Sequence, residues 1–436
     1  MKTTFYRFLT FFIFFYSLCK GQVLALDLLS AIEKAKKFDP EFSSAIHEYR
    51  AALTLPKQSR ASLLPQISTN YSRMKINYFS APSNYFDYYA YNFRIGLQQS
   101  ILNIPAWIDY SQSKIRTYMA EHKLTEEELD LIKRVSKAYF DLLYAEDYLK
   151  VLQEERKAIF EQLQMVKKLY SAGEATLTDV NDAEARYSDV LFRIVSAEKE
   201  LYSAKNNLAR LIGETPENLA TLSEEVEFKE IEPLRVEDWI ENAKKNSPVI
   251  KYYLRAKEAA EKEISKQTFT AFPKIDFIAY YTKSTTIEYL WTTPITYSLI
   301  GIQISMPIFT GGYISAKKEE AREKYLQAEK DYEKAISDVT QQVVDYFFAT
   351  KSAHAQIYAG MSALTAAKLA LDSTKKGYQA GLRTIVDVLN AQSNYYQAKL
   401  NLLKAKYEYI KNLIALKIAC GILGYKDIVE INSWLK

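Results

Sequence analysis

Residues 377–389 have the sequence GYQAGLRTIVDVL, and a related stretch, YSAGEATLTDV, occupies residues 170–180. The two stretches align on Tyr170 and Tyr378, so the second begins 378 − 170 = 208 residues after the first. Each places a glycine shortly before a Thr-x-x-Asp sequence. Glycine is favoured just after the end of a helix, and Thr-x-x-Asp is favoured at the start of the next one. The pattern therefore predicts a tight turn between two helices at each place.

The same separation extends outward along the chain and indicates an internal duplication. The matched pairs are Pro40 with Pro248, Pro65 with Pro273, and Gly213 with Gly421. A register held over this length is typical of a repeated structural unit. We predict a first repeat over 26–213 and a second over 236–421. The segment 214–235 joins them, and a C-terminal tail follows at 422–436.

Each repeat is expected to contain a helix, two strands and two long helices, in that order. Apolar residues of the long helices recur at three- and four-residue spacing. In the first repeat they are Ile132, Val135, Tyr139, Leu142, Leu149, Leu152, Ile159, Leu163, Val166 and Tyr170. Such a stripe is typical of helices paired as in a coiled coil, although an ordinary helical bundle explains it equally well.

Between the helices, apolar and polar residues alternate with a period of two. Strands are predicted near 66–78 and 89–102 in the first repeat, and near 274–285 and 296–308 in the second. About ten alternating residues are what a strand needs to cross a bilayer. Four strands cannot close a membrane barrel, and an open edge in lipid leaves backbone groups unpaired. The strands therefore either form a soluble sheet or are pooled by several chains.

Residues 1–25 have the features of a secretory signal peptide. A basic start is followed by a short apolar segment, 8–18, and by the small or β-branched residues of a cleavage site at 23–25. The apolar segment is too short to span a bilayer as a helix. A lipid-modified Cys19 is the minor alternative. After removal of the signal, Cys420 is the only thiol, so no intramolecular disulfide can form.

Charge and motif content argue against several functional classes. The formal charge of +4 falls to 4 − 3 = +1 when Lys2, Arg7 and Lys20 leave with the signal. This excess is too small to favour a nucleic-acid partner. The sequence contains no H-E-x-x-H, nucleophile elbow or phosphate-binding loop, and its three histidines are scattered. We therefore expect no enzymatic activity, no cofactor and no metal site.

Three stretches resemble the TolC family of outer-membrane efflux proteins. They are residues 96–107, 305–312 and 377–389, and the resemblance covers essentially the whole mature chain. It implies a homotrimer: three chains of four strands form a shared twelve-stranded β-barrel in the outer membrane, and their helices form a hollow α-barrel in the periplasm. The segments 214–235 and 422–436 are implied to form an equatorial belt around the α-barrel.

The resemblance also implies a function and a set of site residues. The trimer is a passive exit for substrates of an inner-membrane transporter with a periplasmic adaptor, in efflux or type I secretion, and it opens when the periplasmic helix tips untwist. The tip turns that contact the adaptor are Ala172, Gly173, Ala380, Gly381 and Leu382. The pore constriction is formed by Asp387 and by Asn390, which stands where family members can carry a second Asp. The links that keep the tips closed are Thr178, Asp179, Tyr378 and Arg383.

Two alternatives stay open at this point. Asp179 and Asp387 both end a Thr-x-x-Asp sequence, so capping of a helix N-terminus alone could explain them. The chain as a whole could also be a periplasmic coiled-coil structural or adaptor protein without a pore. The repeated pairs of alternating strands disfavour that second alternative, because such a protein has no need of them.

Overall fold

The computed structural model describes residues 25–80, 88–288 and 291–436, so all but the last residue of the predicted signal peptide lies outside the described residues. In chain order the elements are α1 Leu28–Phe38, α2 Pro40–Ala52, α3 Leu55–Ala61, β1 Gln66–Ile76, β2 Tyr88–Leu102, α4 Ile104–Ser171, α5 Leu177–Ile212, α6 Val236–Asn246, α7 Pro248–Phe269, β3 Lys274–Glu288, β4 Trp291–Ser305, α8 Tyr313–Gln379, α9 Ile385–Ala419 and α10 Tyr425–Asn432. Of the predicted class, mainly α with a membrane β-barrel portion, the mainly helical part is confirmed, and the four described strands form a small antiparallel sheet. Among the described residues, no helix has an apolar stretch long enough to cross a bilayer.

The single helix expected at the start of each repeat is divided. It consists of α1, α2 and α3 in the first repeat and of α6 and α7 in the second. Breaks fall at Asp39 and Ser247, whose ψ angles of 119° and 124° are extended rather than helical. Each of these residues precedes a proline, and the proline ring disfavours the helical conformation of the residue before it. The prediction of one opening helix was therefore wrong, and Pro40 and Pro248 give the physical reason.

The strand ends also differ from the predicted ones, most clearly at β4. This strand begins at Trp291 rather than near 296 and ends at Ser305 rather than near 308. Pro294 lies inside it, opposite Thr285. Proline cannot donate to a neighbouring strand and is therefore confined largely to edge strands, and β4 is an edge strand. At the other ends, β1 stops at Ile76 instead of near 78 and β3 continues to Glu288.

All four strands belong to one antiparallel sheet in the order β1-β2-β3-β4. The β-hairpin of the first repeat, β1–β2, joins that of the second, β3–β4, through the pairing of β2 with β3. In this pairing Gly96 lies opposite Tyr280. A Cβ atom on residue 96 would lie 2.6 Å from Cδ1 of the Tyr280 ring, so glycine makes room for this ring at the junction. The outer edges of β1 and β4 have no neighbouring strand among the described residues.

The strand register gives the sheet an apolar face and a more polar one. The apolar face contains Ile67, Tyr71, Phe93, Ile95, Leu97, Ile275, Phe277, Ala279, Tyr281, Ile300, Ile302 and Ile304. Polar residues on the same face include Thr69, Arg73, Lys75, Gln99, Lys283, Thr296 and Ser298. The opposite face contains Ser68, Asn70, Ser72, Asn92, Arg94, Gln98, Ser100, Asp276, Thr282, Ser284 and Gln303, and it is mixed toward β4, where Ile278, Tyr280 and Leu299 share it. On this face, Gln98 Nε2 donates to Asp276 Oδ2 at 3.0 Å, and Lys274 Nζ lies 2.9 Å from the same oxygen. These contacts hold Oδ2 of Asp276, whereas Asp276 Oδ1, Asn92 Oδ1 and Ser100 Oγ on the same face are buried without a hydrogen-bond partner among the described residues.

The chain divides into two compact units. One unit holds the sheet and consists of residues 45–126 and 248–338; the other consists of residues up to 44, Glu127–Ser247 and Val339–Lys436. In the second unit, the segments outside the long helices pair with one another: Thr221 N donates to Lys436 O at 2.9 Å. The buried Tyr139 hydroxyl lies 2.9 Å from Leu26 O and 3.0 Å from Ala220 O. This tyrosine thus fixes the first described residues against the segment between the repeats.

Candidate functional site

The hairpins α4–α5 and α8–α9 end in turns of the same geometry. Gly173 and Gly381 have φ angles of +79° and +73°, in the left-handed region that glycine adopts without steric cost. In the first turn Glu174 N donates to Leu169 O at 2.8 Å, and in the second Leu382 N donates to Gly377 O at 2.8 Å. These bonds satisfy carbonyls that the helix end leaves open. Both glycines are therefore helix C-terminal caps, as their local sequences predict.

The helix after each turn begins with a complete capping box. Thr384 Oγ1 accepts a hydrogen bond from Asp387 N at 3.2 Å, and Thr384 N donates to Asp387 Oδ2 at 2.9 Å. The corresponding distances for Thr176 and Asp179 are 3.2 Å and 2.8 Å. Both aspartates thus have the capping role that the sequence left open as an alternative. Together, residues 172–179 and 380–387 form the hairpin ends.

Capping also sets the charge state of Asp387. The backbone N–H of Thr384, and after it the Thr384 hydroxyl, hydrogen-bonds to the carboxylate and lowers the pKa of Asp387 below its ordinary value. Both of these bonds go to Oδ2. Within the described chain, Oδ1 has no hydrogen-bond partner. The aspartate is therefore ionised at neutral pH and keeps one oxygen available while it caps the helix.

An apolar cluster next to the hairpin ends joins the two hairpins. Its buried members are Leu163, Val166, Val180, Ala183, Ile385, Val388 and Leu389. They come from α4, α5 and α9, so α9 of the second hairpin packs against both helices of the first. Burial of a large aliphatic side chain stabilises by about 1.5–3 kcal/mol. Apolar packing therefore supplies most of the attraction between the hairpins here.

One side-chain hydrogen bond connects α5 with α9 in the described part of the chain. Arg186 Nη2 donates to Asn390 Oδ1 at 2.9 Å, and both side chains are exposed. Asn390, predicted to belong to the pore constriction, is therefore bound by a cation from the first hairpin. Sequence reasoning missed Arg186, because it stands in no motif and is 204 residues from its partner.

The structure brings Tyr378 close to the charges of the first hairpin. Burial raises the pKa of Tyr378, and the nearby carboxylates of Asp179 and Glu174 raise it further. The tyrosine also packs against the apolar cluster of the hairpin ends. Thr178, the fourth residue predicted for the closed-state links, is exposed. Of the predicted links, the structure thus places Tyr378 and Asp179 within electrostatic reach of each other.

Arg383 has a different environment from Tyr378. Its aliphatic part packs over Gly377, where a Cβ atom would lie 2.9 Å from Arg383 Cγ. Its charge helps to lower the pKa of Asp387. In the residues that the structure describes, the guanidinium makes no hydrogen bond or ion pair with Thr178 or Asp179. A single chain therefore leaves this cation available for another partner.

The turn residues predicted to contact an adaptor are all exposed. They are Ala172, Gly173, Ala380, Gly381 and Leu382. Leu382 is 80% exposed and Leu177, at the start of α5, is 57% exposed. Small residues and a projecting leucine give each hairpin end an apolar surface that another protein can contact.

The described residues contain no cluster of His, Cys, Asp or Glu side chains positioned to hold a metal ion. Cys420 is a free, buried thiol. Burial raises its pKa to about 12, so it stays protonated, and a protonated thiol is a poor nucleophile and metal ligand. Its Sγ lies 3.6 Å from Trp239 O, in keeping with a residue that packs within the unit.

The chain has relatives along almost its whole length. It is 28% identical over 418 residues to outer membrane protein TolC of Vibrio cholerae, a match that covers 95% of each chain. It is 26% identical over 435 residues to the proteases secretion protein PrtF of Dickeya chrysanthemi, covering 96% of this chain and 93% of that one. Such similarity over full length relates the whole chain, and not one segment of it, to these proteins.

Solved structures show the same fold. The outer membrane protein VceC from Vibrio cholerae superimposes with a TM-score of 0.79 at 19% identity, over 90% of this chain and 96% of that one. The open state of the MtrE outer membrane channel of Neisseria gonorrhoeae gives 0.77 at 21% identity, over 91% and 89%. The sequence model described as outer membrane efflux protein matches residues 31–214 and 239–421, one match in each repeat. The chain therefore belongs to the outer membrane efflux protein family, which confirms the TolC-like resemblance and the outer-membrane location.

Proposed function

We propose that this chain is one subunit of a trimeric channel that provides a passive exit across the outer membrane. An inner-membrane transporter with a periplasmic adaptor delivers the substrate, in efflux or in type I secretion. The observation that carries the proposal is the sheet: four strands, two outer edges without a neighbouring strand in the described chain, and one face on which apolar side chains predominate. A single chain cannot place such a sheet in lipid.

The edges require partners because lipid offers no hydrogen bonds to backbone groups. Closing the sheet on itself with four strands is impossible, since the smallest membrane barrels have about eight. Three chains of four strands give a twelve-stranded barrel in which β4 of one subunit pairs with β1 of the next. This arrangement satisfies every outer edge with copies of the same chain.

The faces of the sheet fit this barrel. Ile300 is 74% exposed in the single chain, and Ile67, Ile302 and Ile304 are also exposed. Membrane barrels present alternate apolar residues to lipid and polar residues to the interior. The apolar face accordingly contacts lipid, and the face with Arg94 and Asp276 lines the interior. A soluble sheet would instead leave this apolar face in water.

The hairpin ends form the gate and the adaptor contact. Three copies of Asp387 surround the constriction, ionised because of the capping bonds, and Asn390 lies one turn further along α9. The exposed turn residues contact the adaptor, and the segments 214–235 and 422–436 form the equatorial belt. Opening breaks the links between hairpins that involve Thr178, Asp179, Tyr378 and Arg383. Links at an exposed site contribute only about 0–1 kcal/mol each, so binding of a partner is sufficient to replace them.

Planar-bilayer conductance of the purified mature protein tests the channel. Small openings that favour cations, measured as a reversal potential in a salt gradient, are the expected result. Protein shown to be folded that neither inserts nor conducts would support the periplasmic coiled-coil alternative instead.

Replacing Arg383 tests the closed-state links. We expect Arg383→Ser to increase single-channel conductance, because the cation is available for a carboxylate of a neighbouring hairpin. Lys375→Ser is the matched control, since Lys375 is an exposed cation on α8 without a partner among the described residues. An unchanged pore in Arg383→Ser, or an equal increase in both variants, would rule out a specific role for Arg383.

A further inference from the structure

The hydrogen bond between Arg186 and Asn390 lies between two apolar clusters along the helical hairpins. In α5, Arg186 follows Ala183 of the apolar cluster at the hairpin ends and precedes Val190 of a second apolar cluster. In α9, Asn390 follows Leu389 of the first cluster and precedes Tyr396 of the second. The hydrogen bond of 2.9 Å between them therefore stands between two apolar clusters that both hairpins share.

A buried polar group marks the same level. Gln392, two residues after Asn390, is 2% exposed, and its Nε2 atom has no hydrogen-bond partner. An unsatisfied buried donor weakens the packing around it. At this level the buried Gln392 interrupts the apolar packing of α9, while Tyr187 of α5 packs against both clusters. We call Arg186, Asn390 and Gln392 the polar seam; within it, the exposed Arg186–Asn390 bond joins α5 to α9 beside this packing.

We propose that the Arg186–Asn390 hydrogen bond is a closed-state link of this chain and determines the alignment of its two hairpins at the constriction. The proposal rests on the proposed channel function, and it adds a pair that lies outside the links at Tyr378 and Arg383. An arginine donor and a neutral amide acceptor form a bond without a compensating negative charge. The link is consequently specific in geometry and weak enough to break on opening.

Because the acceptor, Asn390, is neutral, replacing it with an acidic residue would change the strength of the link. An aspartate at position 390 would form an ion pair with Arg186 and strengthen the link, because hydrogen bonds between two charged groups are stronger than those with one neutral partner. Both side chains are exposed, so solvent limits the effect. Loss of the bond is expected to change the local opening equilibrium about two- to fivefold in each subunit.

Amide hydrogen exchange in the purified trimer tests the link without relying on conduction. Arg186→Ala and Asn390→Ala should each speed exchange in the segments 177–190 and 385–396 about two- to fivefold, and the double variant should add nothing further. Asn390→Asp should slow exchange, but only when Arg186 is present. Exchange that is unchanged, or effects that add in the double variant, would overturn the proposal.

Conductance then separates the link from the channel function itself. We expect Arg186→Ala and Asn390→Ala to increase the conductance of the resting pore and Asn390→Asp to decrease it. The matched controls are Lys199→Ala on α5 and Asn394→Ala on α9, exposed side chains without partners in the described chain. Coupled exchange in a protein that never conducts would refute the channel and leave the link standing. A conducting pore with independent, additive variants would refute the link alone.

Discussion

Arginine substitutions on the two faces of β4 provide a direct test of the proposed contact between the apolar face and lipid. Ile300 lies on the apolar face opposite Ala279, and its neighbour Gly301 lies on the other face opposite Ile278. A side chain added at Gly301 meets nothing within 4 Å. Ile300→Arg and Gly301→Arg thus place the same cation at almost the same depth, on opposite faces.

The position of Ile300 in its strand sets the expected magnitude. It is 300 − 291 = 9 residues from one end of β4 and 305 − 300 = 5 residues from the other. A crossing segment of about ten residues centred in this strand places Ile300 within roughly two residues of the bilayer midplane. Arginine facing lipid there costs about 2–4 kcal/mol, which corresponds to roughly a 30- to 700-fold shift in the folding equilibrium of each subunit.

Refolding from urea into lipid vesicles, followed by the yield of heat-resistant trimer, measures this cost. We expect Ile300→Arg to lower the urea midpoint strongly and Gly301→Arg to stay near the unmodified protein. Ile300→Ala separates the loss of the isoleucine from the addition of charge, and its effect should be small. Equal losses in the two arginine variants, or no loss in either, would refute the assignment of the apolar face to lipid.

Two further predictions concern single side chains. The capping bonds lower the pKa of Asp387 in the single chain, whereas repulsion among three Asp387 carboxylates in one ring raises it; the cation preference, measured as a reversal potential, should therefore be present at pH 7 and be lost in acid as these carboxylates are protonated, and Asp387→Asn should abolish it throughout. A preference that is equal in Asp387→Asn and in the unmodified pore would contradict this. Tyr139→Phe should lower the free energy of unfolding by about 1–2 kcal/mol per subunit, because Ala220 O loses its donor. The thermal midpoint of the trimer should fall accordingly. The exposed Tyr425→Phe should leave the midpoint unchanged, and equal midpoints for both variants would count against the role of the Tyr139 hydroxyl.

Features encoded within a few residues could be predicted from the sequence. The glycine turns and the capping boxes are local, since every bond that defines them joins residues within five positions of each other. The class of the fold followed from the same periodicity. Helix breaks at Pro40 and Pro248 were also local and could have been predicted from the proline rule. The start of β4 was misplaced because Pro294 argues against a strand unless that strand is known to lie at an edge.

Features that depend on pairing between the repeats could not be predicted. The register that places Gly96 under the Tyr280 ring joins residues from different halves of the chain. Periodicity gives the two faces of each strand but not which strands become neighbours. The contact between Arg186 and Asn390 is of the same kind, because neither residue type nor local spacing identifies its partner.

The duplication also explains why the hairpin ends resemble each other and yet can differ in function. At the offset of 208, the capping residues Thr176 and Asp179 match Thr384 and Asp387, and their geometry is the same. The positions that depart from the repeat include Arg383 against Ala175, Asn390 against Asp182, and Arg186 against Asn394. Shared residues therefore build two equivalent turns, while three of the residues that we propose as links, Arg383, Asn390 and Arg186, stand where the repeats differ. A link at such a position joins unlike partners and can break without unfolding the turn beside it, which is what the proposed gate requires.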